Sequence, residues 1–116
     1  MRSLYKIMAE LNKSAAKYFH NCLLYARRIK GMLAKDFPDI RVLVFGSAAR
    51  GDYGPGSDID ILIISSKVPK DIAHQAAIKV KIKKKFPDAP FEIHLASIEE
   101  YENWYKKFIK DDFKEV

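Results

Sequence analysis

Gly46-Ser47-Ala48-Ala49-Arg50-Gly51-Asp52-Tyr53-Gly54-Pro55-Gly56-Ser57-Asp58-Ile59-Asp60 is the stretch around which the chain is organised. Val42-Leu43-Val44-Phe45 precedes it, and Ile59 with Ile61-Leu62-Ile63-Ile64 closes it. Runs of β-branched and aromatic residues bounded by Gly and Pro read as strands, so one strand enters the stretch and another leaves. Gly51, Gly54, Pro55 and Gly56 break any regular element between them. Gly46 lets the backbone come close to a ligand, and Ser47 adds a hydroxyl and an N–H to an anion-binding concavity. Arg50 offers a planar fork suited to phosphate. On the outgoing strand Asp58 and Asp60 are two apart and share one face. Two carboxylates so close repel one another, and a divalent cation resolves the conflict. Magnesium takes one or two carboxylates together with substrate phosphates.

Gly46-Ser47, ten intervening residues, then Asp58-x-Asp60 resembles the signature of nucleotidyltransferases similar to DNA polymerase β. The inner pattern matches at Gly46, Ser47, Ala49, Arg50, Gly51, Ser57, Asp58 and Asp60. More narrowly the stretch resembles the minimal nucleotidyltransferases. That resemblance spans about residues 40–95 and implies a mixed α+β fold. The expected fold is a polymerase β-like core with a small mixed sheet packed by helices and an added long N-terminal helical segment.

The resemblance also implies transfer of a nucleoside monophosphate, AMP in the first instance, from a nucleoside triphosphate to an acceptor hydroxyl. ATP is the expected nucleotide. Asp58 and Asp60 would hold Mg2+ in a two-metal site, while Gly46, Ser47 and Arg50 would hold phosphates. Arg50 has a second reading, as a brace of the loop against Asp52 or Asp58. A third acidic residue, usually aspartate, comes from a later strand in this family. Here Phe91-Glu92-Ile93-His94-Leu95 alternates, which places Glu92 and His94 on one face. Glu92 is therefore the expected third metal ligand and catalytic carboxylate, and a departure from the usual residue. His94 reads as a base, a phosphate contact or a structural residue.

The 116 residues suit one domain, residues 1–116, with a modest core. Within it residues 1–36 form the N-terminal helical segment, 40–95 the catalytic core and 97–113 the C-terminal helix. The single cysteine, Cys22, excludes a disulfide framework or a cysteine-rich zinc site and reads as a buried hydrophobe. No run is long enough to span a bilayer, and no secretory leader is evident, so the cytoplasm is the expected compartment. The net charge of +6 favours anionic partners.

Apolar residues recur at three-and-four spacing from Leu4 to Leu33 and predict helix to about Asp36. Unbroken, it would run roughly 50 Å, against about 30–35 Å for a compact domain of this size. The helix must therefore break, with Asn12-Lys13-Ser14 the expected place, or project as a surface for self-association or another protein. His20 beside it reads as structural. Asp71 caps a predicted helix over 72–86, whose expected buried stripe is Ile72, Ala73, Ala76, Ala77 and Val80. Its lysines, Lys79 to Lys85, read as a solvated face or a basic patch. Ser97 and Glu100 form a capping box that opens a predicted helix over 98–113. Ile98, Tyr101, Trp104, Tyr105, Phe108 and Ile109 are its expected core stripe, with base stacking or a partner surface as the other reading. The tail is expected to fray.

The resemblance implies a second polypeptide, since the chain has no room for an acceptor-binding domain. In toxin–antitoxin pairs of this kind the partner is a small helical protein of the HEPN type, which the nucleotidyltransferase adenylylates. The N-terminal helix would then be the docking or homodimer surface. Two other classes stand beside this one. One is a catalytically weak nucleotide-binding or antitoxin module acting by contact. The other is an RNA-binding module using the lysine-rich helix, which no aromatic interleaving supports.

Overall fold

The structure is a computed structural model describing residues 3–54 and 56–116, without the side chains of residue 5, residues 7–12 and residue 14. Helix α1 spans Leu4–His20 and α2 spans Cys22–Leu33. The break falls at Asn21, not at Asn12-Lys13-Ser14, which lie within α1. Asn21 donates from its side-chain amide to the Lys17 carbonyl at 2.9 Å, and its backbone N–H turns to the same oxygen. A short polar side chain that competes for backbone groups ends a helix where an apolar spacing pattern shows nothing. Tyr18, Phe19, Cys22, Ala26, Ile29 and Leu33 are buried along the joined stripe. Burial pushes the Cys22 thiol upward. His20 is exposed. Of the N-terminal helix expected as a docking or homodimer surface, the side chains of residues 7–12 lie outside those described.

Strand β1 (Arg41–Phe45) leads into a short helix, α3 (Ser47–Arg50), and strand β2 (Ile59–Ile64) leaves the loop. The two strands pair antiparallel, with Phe45 opposite Asp60. Helix α4 (Ile72–Lys85) then crosses to strand β3 (Phe91–Ala96), which pairs parallel to β2. Parallel neighbours require such a crossover. Asp71 caps α4, accepting from the His74 N–H at 3.0 Å.

The C-terminal helix begins with α5 (Ile98–Glu100), closed by the Ser97–Glu100 capping box, passes through a π-helical turn (Tyr101–Tyr105) and ends as α6 (Lys106–Ile109). It stops before the predicted Phe113. Phe113–Glu115 is instead strand β4, antiparallel to β1, and the tail is held rather than frayed. Arg41 forms two hydrogen bonds to Glu115, at 2.8 and 2.9 Å, and the Val116 N–H bonds to the Val42 carbonyl. The sheet order is β3-β2-β1-β4.

Alternation divides the sheet into two apolar faces. Val42, Val44, Ile59, Ile61 and Ile63 pack on Ala26, Ile29 and Leu33 of α2 and Ile82 of α4. Leu43, Phe45, Leu62, Ile64 and Ala96 pack on Tyr101 and Ile109. Each fully buried aliphatic side chain contributes about 1.5–3 kcal/mol relative to exposure.

Two expected stripes are corrected. On α4, Ile72 is 85% exposed and Val80 50%, with Ala73, Ala76 and Ala77 also exposed, whereas Ile82 is buried and Ile78 partly so. On the C-terminal helix, Tyr101 and Ile109 are buried and Tyr105 half-buried, while Ile98, Trp104 and Phe108 are exposed. A π-helical turn is wider than an α-helical one and shifts which residues fall on the packed face.

Candidate active site

Asp60 opens the second sheet face at the edge where β1 ends. Its Cα partner on β3 is Glu92, and His94 follows two residues later on the same face. The His94 Nε2 atom lies 3.3 Å from Asp60 Oδ1 and 3.8 Å from Glu92 Oε1. Asp60, Glu92 and His94 each offer one ligand atom, and these atoms lie within 4.8 Å of one another. Phe45, with its ring centroid 5.2 Å away, and Tyr105, at 6.1 Å, flank the imidazole. The Asp60 and His94 side chains are about one quarter exposed, and that of Glu92 is 55% exposed.

This donor set fits a divalent cation. Two carboxylates meeting as cross-strand partners favour a positive charge between them. Their oxygens suit magnesium, and the imidazole widens the choice to ions that accept nitrogen. Asp58 stands outside the cluster. It precedes β2, where the ladder has not begun, and is exposed. The outlying Asp58 and the inclusion of His94 are the two differences between the observed cluster and the expected set of Asp58, Asp60 and Glu92. From sequence His94 reads as a base, a phosphate contact or a structural residue, and the face it shares with Glu92 is the sequence signal that could have placed it in the cluster.

Gly46 adopts φ +74° and ψ −150°, a conformation open in practice to glycine alone. A methyl group on it would lie 2.9 Å from Asp60 Oδ2. Ser47 begins α3, and Gly51 ends it in the left-handed conformation with its N–H on the Ser47 carbonyl. Arg50 Nε donates to Asp52 at 3.0 Å and its NH1 group to Asp112 at 3.2 Å. The Asp52 bond, seconded by Asp112, holds the guanidinium above its usual range. Arg50 thus braces the loop against Asp52, as one expectation had it, and against Asp112, which no sequence pattern indicated. The Gly46 N–H also bonds to the Asp112 carbonyl at 3.3 Å. Farther along the loop, Tyr53 stacks on Phe19 of α1, with centroids 4.1 Å apart. Gly54 and Ser57 close a turn by reciprocal hydrogen bonds of 3.0 Å.

A cavity of about 370 Å³ opens here, lined by Gly46, Ser47, Arg50, Asp60, Phe108 and Asp112 among others. A second cavity, of about 310 Å³ between α4 and β3, is walled by Val80, Ile82, Phe86, Ala89, Phe91 and Ile93 with Lys79 and Lys83 and holds no carboxylate. The first cavity adjoins both Asp60 and the Gly46-Ser47 turn.

Residues 26–115 match the family model described as the nucleotidyltransferase domain. The match is wider than the 40–95 span of the sequence resemblance and takes in most of α2, the C-terminal helix and β4. A Methanocaldococcus jannaschii protein, provisionally named a protein adenylyltransferase, is 37% identical over 73 residues. The aligned region covers 63% of this chain and 66% of that protein, so the chain spans just under two thirds of the relative's length. A crystal structure provisionally named a nucleotidyltransferase superposes with a TM-score of 0.61 at 36% identity, covering 78% of this chain and 95% of the other. Another, from Sulfolobus solfataricus, gives 0.55 at 28% identity and covers 89% and 84%. With its motif, mixed sheet and paired acidic strands in place, the chain belongs to the nucleotidyltransferase domain family of transferases.

Proposed function

We propose that this nucleotidyltransferase transfers AMP from ATP, with Mg2+, to a hydroxyl on a partner protein. The observation that carries the reading is the cross-strand pairing of Asp60 with Glu92 directly beneath Gly46. The provisional name of the Methanocaldococcus relative supports AMP and a protein acceptor. A small helical protein of the HEPN type is the first candidate acceptor.

Asp60 and Glu92, with Asp58 and His94, would hold the ion. Bound Mg2+ would neutralise charge on the transferring phosphate and acidify the acceptor hydroxyl. Ser47 would hold the terminal phosphates through its N–H and hydroxyl, Gly46, whose own N–H is on the Asp112 carbonyl, would let them come close to the backbone, and Arg50, already paired, would keep the loop in shape. The acceptor oxygen attacks the α-phosphorus and forms a new P–O bond. The bond to the bridging oxygen of the β-phosphate breaks, and pyrophosphate leaves with its electron pair. Glu92, the most exposed of the three clustered donors, takes the acceptor proton. Catalysis of this type rests on positioning and charge stabilisation.

The test is incubation with α-labelled ATP, Mg2+ and candidate partner proteins, beside Asp58→Ala and Asp60→Asn variants. Label on the partner that disappears in Asp60→Asn supports the reading. Neither transfer nor Mg2+-dependent nucleotide binding in the wild type overturns it in favour of an antitoxin acting by contact alone.

A further inference from the structure

We propose that Phe108 is the platform on which the nucleobase of the donor nucleotide stacks, and that this gives the enzyme a preference for purine triphosphates. The inference rests on the nucleotide-binding reading of the cavity above. That cavity is lined by two chemically distinct kinds of group. Gly46, Ser47 and Asp60 supply backbone, hydroxyl and carboxylate, and Phe108 supplies an exposed aromatic ring. Its volume of about 370 Å³ lies in the range of small-molecule sites. A nucleotide needs this division, with polar groups for its phosphates and ion and a flat apolar surface for its base.

Core packing does not account for the position of Phe108. Tyr101, Tyr105 and Ile109 form the face turned to the sheet. Phe108 is 66% exposed, and Trp104, one turn earlier, is 58% exposed. Their rings lie parallel, 6° apart in plane with centroids separated by 5.5 Å. Trp104 is itself set edge-on against Tyr105 at 4.6 Å. The exposed pair is thus tied through Tyr105 to the packed face, which fixes the ring that reaches the cavity. Stacking is sequence-tolerant but stronger for the larger ring system, hence the purine preference.

Calorimetric titration of the full chain with Mg-ATP, Mg-CTP and Mg-tripolyphosphate tests the proposal. The wild type should bind ATP more tightly than CTP. Phe108→Ala should weaken ATP binding by about 5- to 100-fold, the worth of one base stack, and narrow the gap to CTP. Tripolyphosphate binding should stay within about twofold, and Phe108→Trp should restore ATP affinity. Unchanged ATP affinity in Phe108→Ala overturns the inference. Equal losses for ATP and tripolyphosphate also overturn it, because Phe108 would then only shape the cavity. A wild type that binds tripolyphosphate but gains nothing from a base removes the stacking site while leaving the phosphate site standing. A wild type that binds none of the three removes the nucleotide-site reading itself, and this inference with it.

Discussion

Gly46 and Asp60 touch across the end of the β1–β2 hairpin, where the glycine Cα leaves no room for a side chain above the carboxylate. A methyl group there would stand 2.9 Å from Asp60 Oδ2. The glycine that shapes the loop therefore also positions the first acidic residue of the strand. Loop and carboxylate meet at this contact, and a side chain added at position 46 must displace one of them.

Gly46→Ala should consequently cost activity as well as stability. The backbone conformation at φ +74° and ψ −150° is worth about 1–3 kcal/mol of strain for any residue with a Cβ. The displaced Asp60 carboxylate should lower nucleotidyl transfer by about 100-fold or more, the usual consequence of a misplacement near 1 Å. Urea unfolding and the rate of label transfer, measured on the same preparation, separate the two effects. A variant that unfolds earlier but transfers at the wild-type rate would show that the contact does not set Asp60.

The imidazole in the cluster leads to an expectation about metal choice. His94 Nε2 lies 3.3 Å from Asp60 Oδ1, and nitrogen donors suit manganese and later ions better than magnesium. His94→Ala should weaken Mn2+ binding by about tenfold or more, the usual loss for a ligand or an orienting partner, and weaken Mg2+ binding less. Asp60→Asn should abolish both. Mn2+ paramagnetic relaxation and Mg2+ competition read this without turnover. Equal losses for the two ions in His94→Ala would assign the histidine to orienting carboxylates only.

Much of this architecture was legible because it is local. The strands are β-branched runs between glycines and prolines, and alternation placed Glu92 on one face of its strand, while only the family resemblance implied that this strand supplies the third acidic residue. What was not legible depends on contacts distant in sequence. Helix α4 scatters its apolar residues among lysines instead of gathering them on one stripe, with Ile72, Ala73, Ala76, Ala77 and Val80 as one set and Ile78 and Ile82 as another. Only the sheet decides that Ile82 is the buried one. The C-terminal helix reads as regular until the π-helical turn moves Trp104 and Phe108 off the packed face. Strand β4 exists only because β1 offers it an edge. Asp58 shares a face with Asp60 on an ideal strand, but β2 begins after it.

Lys110 closes α6 with φ +55° and ψ −120°, the only non-glycine residue at positive φ among those described. A long side chain gains nothing from that conformation, which glycine adopts freely. Lys110→Gly should therefore stabilise the protein by about 0.5–1 kcal/mol, visible as a higher urea midpoint with an unchanged slope. A lower midpoint would mean that the lysine side chain contributes more than the backbone strain costs.

Asp39 provides the acid-sensitive element. Its carboxylate accepts from the buried Ser65 hydroxyl and, at 2.9 Å, from the Ser66 N–H, tying the β1 entry to the end of β2. These bonds, the Ser65 hydroxyl first, lower its pKa from 3.8 to about 2. A carboxyl group whose folded pKa is depressed stabilises the fold fully above its unfolded value and loses that contribution as pH falls through the folded value. The stability difference between wild type and Asp39→Asn should therefore be constant from neutral pH down to about 5 and shrink toward pH 2. Urea unfolding of both proteins across this range measures the difference directly and cancels the titration of the other carboxylates. A gap that does not change between pH 4 and pH 2 would show that the Ser65 and Ser66 contacts do not depend on the charge of Asp39.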